Sequence, residues 1–215
     1  MQTLLNSAQN LEITNGATVA QTISRNGRLY TNQRNTVRPW RFKFAAPGML
    51  KWSDYRDTLE TVYYNDRWVP YSLNIGATAG SAWIAAYRGN HTLTGNVLNN
   101  VTCTSASGTS LVLTASANLT GKTVLKRGDY IQPTGHTYPY IVNADVAGVG
   151  SGSTMTVSLN RSFITQAGYT LAGSTLKIGP GCTFNMIVTN LPAVTLLPGQ
   201  WAAFTGDFEL VEQVA

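Results

Sequence analysis

Charged side chains are scarce in this sequence. Only 12% of its 215 residues are Asp, Glu, Lys or Arg, about half the usual share. With 43% hydrophobic residues, that scarcity argues against disorder, which combines low hydrophobicity with high charge. Cysteine is nearly absent: Cys103 and Cys182 alone exclude a disulfide framework and a cysteine-built zinc site. Two histidines, His91 and His136, leave little material for metal or acid–base chemistry. Long apolar runs are missing as well, and the best of them, Ala82–Tyr87, is far too short to span a bilayer. Met1–Asn10 shows no basic residue followed by an apolar block, so no secretory leader is expected and the protein is expected to be soluble and made in a cytosol. The length suits one large domain or two small ones, and either can bury a real core.

The charge that is present is unevenly placed. Up to Arg88 there are ten Lys/Arg against five Asp/Glu, and from Gly89 onward five of each. Arg25, Arg28, Arg34, Arg38, Arg41 and Lys43 fall between Ile13 and Trp52 with no acid among them. Nucleic acid would reward such a strip, but no helix-turn-helix, aromatic RNP motif or zinc finger accompanies it. A basic subunit interface, where arginine is enriched, is the expectation.

The patterning is that of a mainly β chain. Asn26-Gly27 between two extended segments signals a tight hairpin. Arg38–Phe44 alternates cations with Trp40, Phe42 and Phe44, which predicts a half-buried strand whose aromatic face packs in the core. One helix is expected over 53–64, with Ser53 as N-cap, acids in its first turn, and Tyr55, Leu59, Val62 and Tyr63 as its apolar stripe. From Gly89 the composition shifts to Thr, Ser, Gly and Asn. Short β runs then recur at Val97–Cys103, Ser110–Ala115, Gly128–Gln132, Tyr138–Asp145, Thr154–Leu159 and Thr175–Ile178, which implies a small barrel or sandwich. Thr183–Thr189 and Trp201–Glu212 are expected as the last strands, joined by a Pro/Leu-rich loop, Leu191–Gly199. The expected organisation is a first domain built from 1–88 and 182–215, with an all-β domain, 89–181, inserted into it.

Candidate chemistry is thin. Asp54, Asp57 and Glu60 share a helix but read as a solvated first turn rather than an acid–base set. His91 and His136 lack a second ligand at metal spacing and read as turn residues. No G-x-S-x-G elbow or phosphate-binding loop occurs. In Gly128-Asp129-Tyr130 and Gly206-Asp207-Phe208 the aspartates are expected to bond backbone amides and the rings to enter the core. Both cysteines read as buried thiols. Four Asn-x-Ser/Thr triplets (Asn90, Asn100, Asn118, Asn160) are expected from chance in a Thr- and Asn-rich chain. The residues point to no enzyme and no cofactor.

The order of features resembles one family. An extended arm leads to Arg38-Pro-Trp-Arg-Phe-Lys-Phe, then a proline and the short helix. Leu125-Lys-Arg-Gly-Asp-Tyr-Ile-Gln, Tyr138-Pro-Tyr-Ile-Val-Asn-Ala-Asp-Val and Ser153-Thr-Met-Thr-Val-Ser-Leu follow, and Phe204-Thr-Gly-Asp-Phe-Glu-Leu-Val-Glu closes the chain. This is similar to the minor tail and baseplate proteins of tailed bacteriophages, the group around distal-tail and tail-tube-initiator proteins. The resemblance implies a tube-type β-sandwich with one helix that assembles into a ring, commonly hexameric, in the virion tail, alongside tail-tube and baseplate partners. It carries over no catalytic, metal or cofactor residue. Arg25, Arg28, Arg34, Arg38, Arg41 and Lys43 are then the expected subunit-interface residues, and Trp40, Phe42, Phe44, Leu59 and Val62 the packing beneath. Two other functions compete: a host-surface carbohydrate module stacking sugars near Tyr138–Tyr140 or Trp83–Tyr87, and a nucleic-acid binder.

Overall fold

The computed structural model describes residues 1–16, 19–23, 29–33, 38–46, 48–64, 69–76 and 83–214, with backbone alone at 19–23 and 29–33. Strands hold 42% of the chain and helix 12%, so the fold is mainly β, with several sheets that include a curled half-barrel. The chain forms two compact units, Met1–Tyr71 with Met186–Val214, and Ser72–Asn185.

The first unit holds a five-stranded sheet in the order Glu12–Thr14, Arg41–Phe44, Phe208–Glu212, Phe184–Asn190, Tyr71–Leu73. The boundaries between the units fall inside its last two strands. Arg41–Phe44 alternates exposed and buried side chains, which is the period-2 consequence of a pleated strand with one wet face. Phe42 lies opposite Ile13 on one side and Leu210 on the other. Phe44 stacks on Phe208 with ring centroids 5.1 Å apart. Trp40, Phe42, Phe44, Leu59 and Val62 are all buried.

A second, three-stranded sheet has the order Ala193–Leu197, Trp201–Thr205, Met49–Lys51. Two expectations are corrected here. Trp201–Glu212 is not one strand: Gly206, at φ +100°, takes a backbone conformation open to glycine. The chain there leaves the three-stranded sheet and enters the five-stranded one. The expected loop Leu191–Gly199 contains a strand, because Ala-Val-Thr-Leu-Leu pairs residue for residue with Trp201–Thr205. The segments Val19–Ile23 and Leu29–Gln33 form a two-stranded antiparallel ribbon; the Asn26-Gly27 turn lies outside the described residues.

The helix spans Trp52–Tyr64, and Ser53 is inside it rather than its N-cap. The Trp52 amide donates to the Gln200 carbonyl at 2.6 Å, and the Ser53 hydroxyl donates to the Asp54 carboxylate at 2.9 Å. A neighbouring strand end therefore satisfies the first amide. Residues 65–68, which follow the helix, are outside the described residues.

The second unit is built on a seven-stranded sheet. Its path runs Tyr140–Ile141, Tyr130–Pro133, Thr175–Ile178, Val97–Ser107, Ser110–Ala115, Thr154–Ser158, with Leu93–Thr94 also on Val97–Ser107. Thr123–Leu125 and Val146–Ala147 make a separate pair. Leu111, Leu113 and Ala115 are fully buried at alternate positions of their strand. The expected strand Tyr138–Asp145 is shorter, Tyr140–Ile141 plus a single bridge from Val142 to Leu159. Asp145 instead turns its carboxylate to the Arg127 amide at 2.8 Å. This unit begins before Gly89 and ends after Gly181 because flanking residues bond into it. Asn74 donates to the Pro180 carbonyl, the Tyr87 hydroxyl donates to the Val124 carbonyl at 2.5 Å, and Ile75 and Ala85 are buried.

Candidate functional site: an uncharged sheet edge beside an apolar groove

The expected basic strip is only partly within the described residues. Arg25, Arg28 and Arg34 lie outside them, while Arg38, Arg41 and Lys43 lie inside. Lys43 is held by its own chain, its ammonium 3.3 Å from Asp207 and 3.7 Å from Glu209. The register also puts Glu12 directly across from Lys43. The hydrogen bond to Asp207, then the charges of Asp207 and Glu209, push the ammonium above its ordinary value. A shallow groove of about 390 Å³ on this face, lined by Glu12, Arg41, Lys43, Thr189 and Glu209, therefore mixes both signs. Asp207 binds a lysine rather than backbone amides, unlike the expectation for its Gly-Asp-aromatic motif.

The companion motif behaves otherwise. Asp129 is buried and accepts the Arg88 amide at 3.0 Å and the Lys126 amide at 2.8 Å, while Tyr130 enters the core. Burial raises the Asp129 carboxyl above its ordinary value, and those two amides oppose the rise. The arrangement closes a turn, with each oxygen occupied.

His136 closes the turn expected of it, its amide donating to the Pro133 carbonyl at 3.0 Å, but its ring is in the core. It is 5% exposed, stacked on Phe163 at 4.8 Å and surrounded by Tyr138, Tyr140 and Tyr169. The Tyr138 amide donates to Nδ1 at 3.3 Å, and Nε2 sits 3.0 Å from the Ile164 carbonyl. Nδ1 also lies 3.2 Å from the Tyr138 carbonyl, so the neutral ring with its hydrogen on Nε2 donates to Ile164 and accepts the Tyr138 amide, and leaves the Tyr138 carbonyl without a hydrogen from the ring. Burial lowers its pKa from the ordinary value, against the pull of the carbonyls, and Arg161 lowers it further. Arg161 is itself buried, its guanidinium carbon 5.2 Å from the centre of the Tyr140 ring.

Other candidates fall away in the same manner. Asp54 and Asp57 are exposed, and Glu60 is bound by Arg56 at 2.8 Å. Cys103 and Cys182 are free and buried. Desolvation pushes the Cys103 thiol up to about 11 and raises Cys182 further still. Among the described residues no group of three or more His, Cys, Asp or Glu could hold a metal ion. No helix among them is long and apolar enough to cross a membrane. Tyr138 and Tyr140 are buried, so neither ring presents a face to a sugar, whereas Trp83 is 74% exposed.

The three-stranded sheet is the surface that stands out. Ala193–Leu197 is its edge strand, and it carries no charge, proline or glycine. Native edges are usually blunted by such residues, because a bare row of backbone donors and acceptors templates further pairing. Cross-strand register puts Leu50, Ala202 and Leu196 on one face and Trp201 and Leu197 on the other. Leu50 and Ala202 are buried, but Leu196 is 62% exposed, Met49 58% and Trp201 43%. Beside the edge runs an apolar groove of about 340 Å³, lined by Trp52, Leu59, Tyr63 and Tyr64 of the helix, by Val194 and Leu196 of the strand and by Pro192 just before it. The Tyr63 hydroxyl donates to the Pro192 carbonyl at 2.6 Å and ties the strand's start to the helix. Burial raises the Tyr63 phenol to about 12. A five-residue run with β-branched Val194 and Thr195 and apolar Leu196 and Leu197, set between Pro192 and Pro198-Gly199, is itself a strand signal and stands in the sequence. No family model matches this chain, and no curated protein matches it.

Proposed function

We propose that this chain is a structural protein of a tailed-phage virion, a ring-forming component near the baseplate or tube end that works through contacts between subunits. The observation that carries the reading is the uncharged, unblunted edge strand Ala193–Leu197 with exposed Met49, Leu196 and Trp201 around it. A water-facing edge of this kind is a liability for a monomer and an asset for a subunit. Low charge overall suits surfaces covered in an assembly, whose centres are depleted of charge. The phage-tail part of the proposal rests on the motif resemblance, and localisation in the virion follows from it. Carbohydrate binding retains one ring in its favour, exposed Trp83. Nucleic-acid binding is weakened by the two carboxylates that hold Lys43.

Sedimentation analysis across a hundredfold range of concentration, with electron microscopy of the same samples, tests the proposal. A closed oligomer seen as rings is the expected result. A chain that stays monomeric throughout refutes it.

A further inference from the structure

Among the described residues, the ribbon Val19–Ile23/Leu29–Gln33 pairs only with itself. A lone two-stranded ribbon is marginal in water, and adding it to a sheet supplies further backbone pairing. In the same chain the five-residue edge Ala193–Leu197 has its outer side unpaired among the described residues. Each ribbon strand is also five residues long, so a ribbon strand matches the edge in length. Charge complements the fit. The ribbon's stretch carries Arg25, Arg28 and Arg34 and no acid. The helix beside the edge carries Asp54, Asp57 and Glu60 against Arg56, with Lys51 on the adjoining strand. Arg56 is already bound to Glu60, and no ion pair among the described residues engages Asp54 or Asp57.

We propose that the ribbon of one copy adds to the Ala193–Leu197 edge of the next, over the apolar groove and beside the acidic helix. The contact joins two different surfaces, so repetition makes a ring where the rotation closes and a filament where it does not. Leu196 then passes from solvent into the seam. The inference rests on the assembly reading above and names the surfaces that reading requires.

Paired cysteines test it, since native Cys103 and Cys182 are buried and stay out of the chemistry. Thr195→Cys is mixed with Thr31→Cys, or with Gln21→Cys for the other ribbon strand, under mild oxidation. Cross-linked dimers in a mixture, and none from any variant alone, are expected. Cross-linking of Thr195→Cys by itself means that two edges pair about a twofold axis, which overturns the inference. Leu196→Lys, checked for native circular dichroism, is expected to weaken association at least tenfold, and so is raising salt from about 0.05 to 0.5 M, which shortens the reach of exposed charges. Oligomers that persist unchanged in Leu196→Lys, with no cross-link in either mixture, sink this inference and leave the assembly reading standing. A wild-type chain that never associates sinks the assembly reading itself.

Discussion

Gln132 offers a sharp test of how the second unit is held together. Its side chain is buried and works as a backbone mimic. Nε2 donates to the His136 carbonyl at 2.9 Å and the Thr183 carbonyl at 3.1 Å, and Oε1 accepts the Thr183 amide at 2.9 Å. The amide therefore joins the strand Tyr130–Pro133 to the chain at Thr183 and closes the turn at His136. Gln132→Leu keeps the volume and removes these three bonds and a longer one from the Thr183 hydroxyl at 3.4 Å, leaving one amide and two carbonyls with a lost partner in a buried to partly buried setting. At about 1 kcal/mol per neutral bond, and more for a stranded donor, the expected loss is about 3 kcal/mol. At roughly 3 °C per kcal/mol for a chain of this size, the unfolding midpoint falls by about 10 °C. Gln132→Glu separates hydrogen bonding from shape. An ionised carboxylate still accepts the Thr183 amide but faces two carbonyl oxygens with no hydrogen, so at pH 7 it costs more than the leucine. Its folded-state pKa is raised above the unfolded one, so the variant recovers stability as pH falls through the raised value and loses it as pH rises. Calorimetry or denaturant unfolding of both variants between pH 4 and 8 reads the difference. A Gln132→Leu protein within about 1 kcal/mol of wild type, or a glutamate variant whose penalty does not move with pH, refutes the account.

Two further outcomes follow from buried titratable groups. The folded-state pKa of His136 lies below its ordinary value, so below about pH 6.5 the unfolded chain takes up a proton that the folded one refuses. Stability then falls with decreasing pH, by up to about 1.4 kcal/mol per pH unit, until the lowered folded pKa is reached. His136→Gln flattens that share of the profile, and NMR of the native protein should show the ring less than half protonated at pH 6.5; a ring mostly charged there contradicts the packing described. The thiols of Cys103 and Cys182 are desolvated and raised, so a thiol reagent at pH 8 should modify both in denaturant and neither at a comparable rate in the folded chain. Rapid modification of either in the native state contradicts their burial.

The features legible from residue order alone are local and periodic. The alternation of Arg38–Phe44 carries its own two faces, because successive side chains on a strand point opposite ways. Likewise Leu59 and Val62 belong to one helical stripe, and Ser110–Ala115 and Thr175–Ile178 lie between turn residues that bound them. The mainly β class follows from these elements with no long-range information. Tertiary structure decided what depends on partners distant in the chain. Lys43 looks like a free cation in sequence, yet residues more than 160 positions away supply its two carboxylates. His136 is a turn residue, and only Phe163, Tyr169 and Ile164 folding around it decide that its ring is buried. Ala193–Leu197 has a strand's composition between two prolines that suggest a loop, and its pairing with Trp201–Thr205 decides between them, while among the described residues no further strand lies beside it in that sheet. Periodicity reports which way a side chain points; whether something stands opposite it is a property of the assembled sheets.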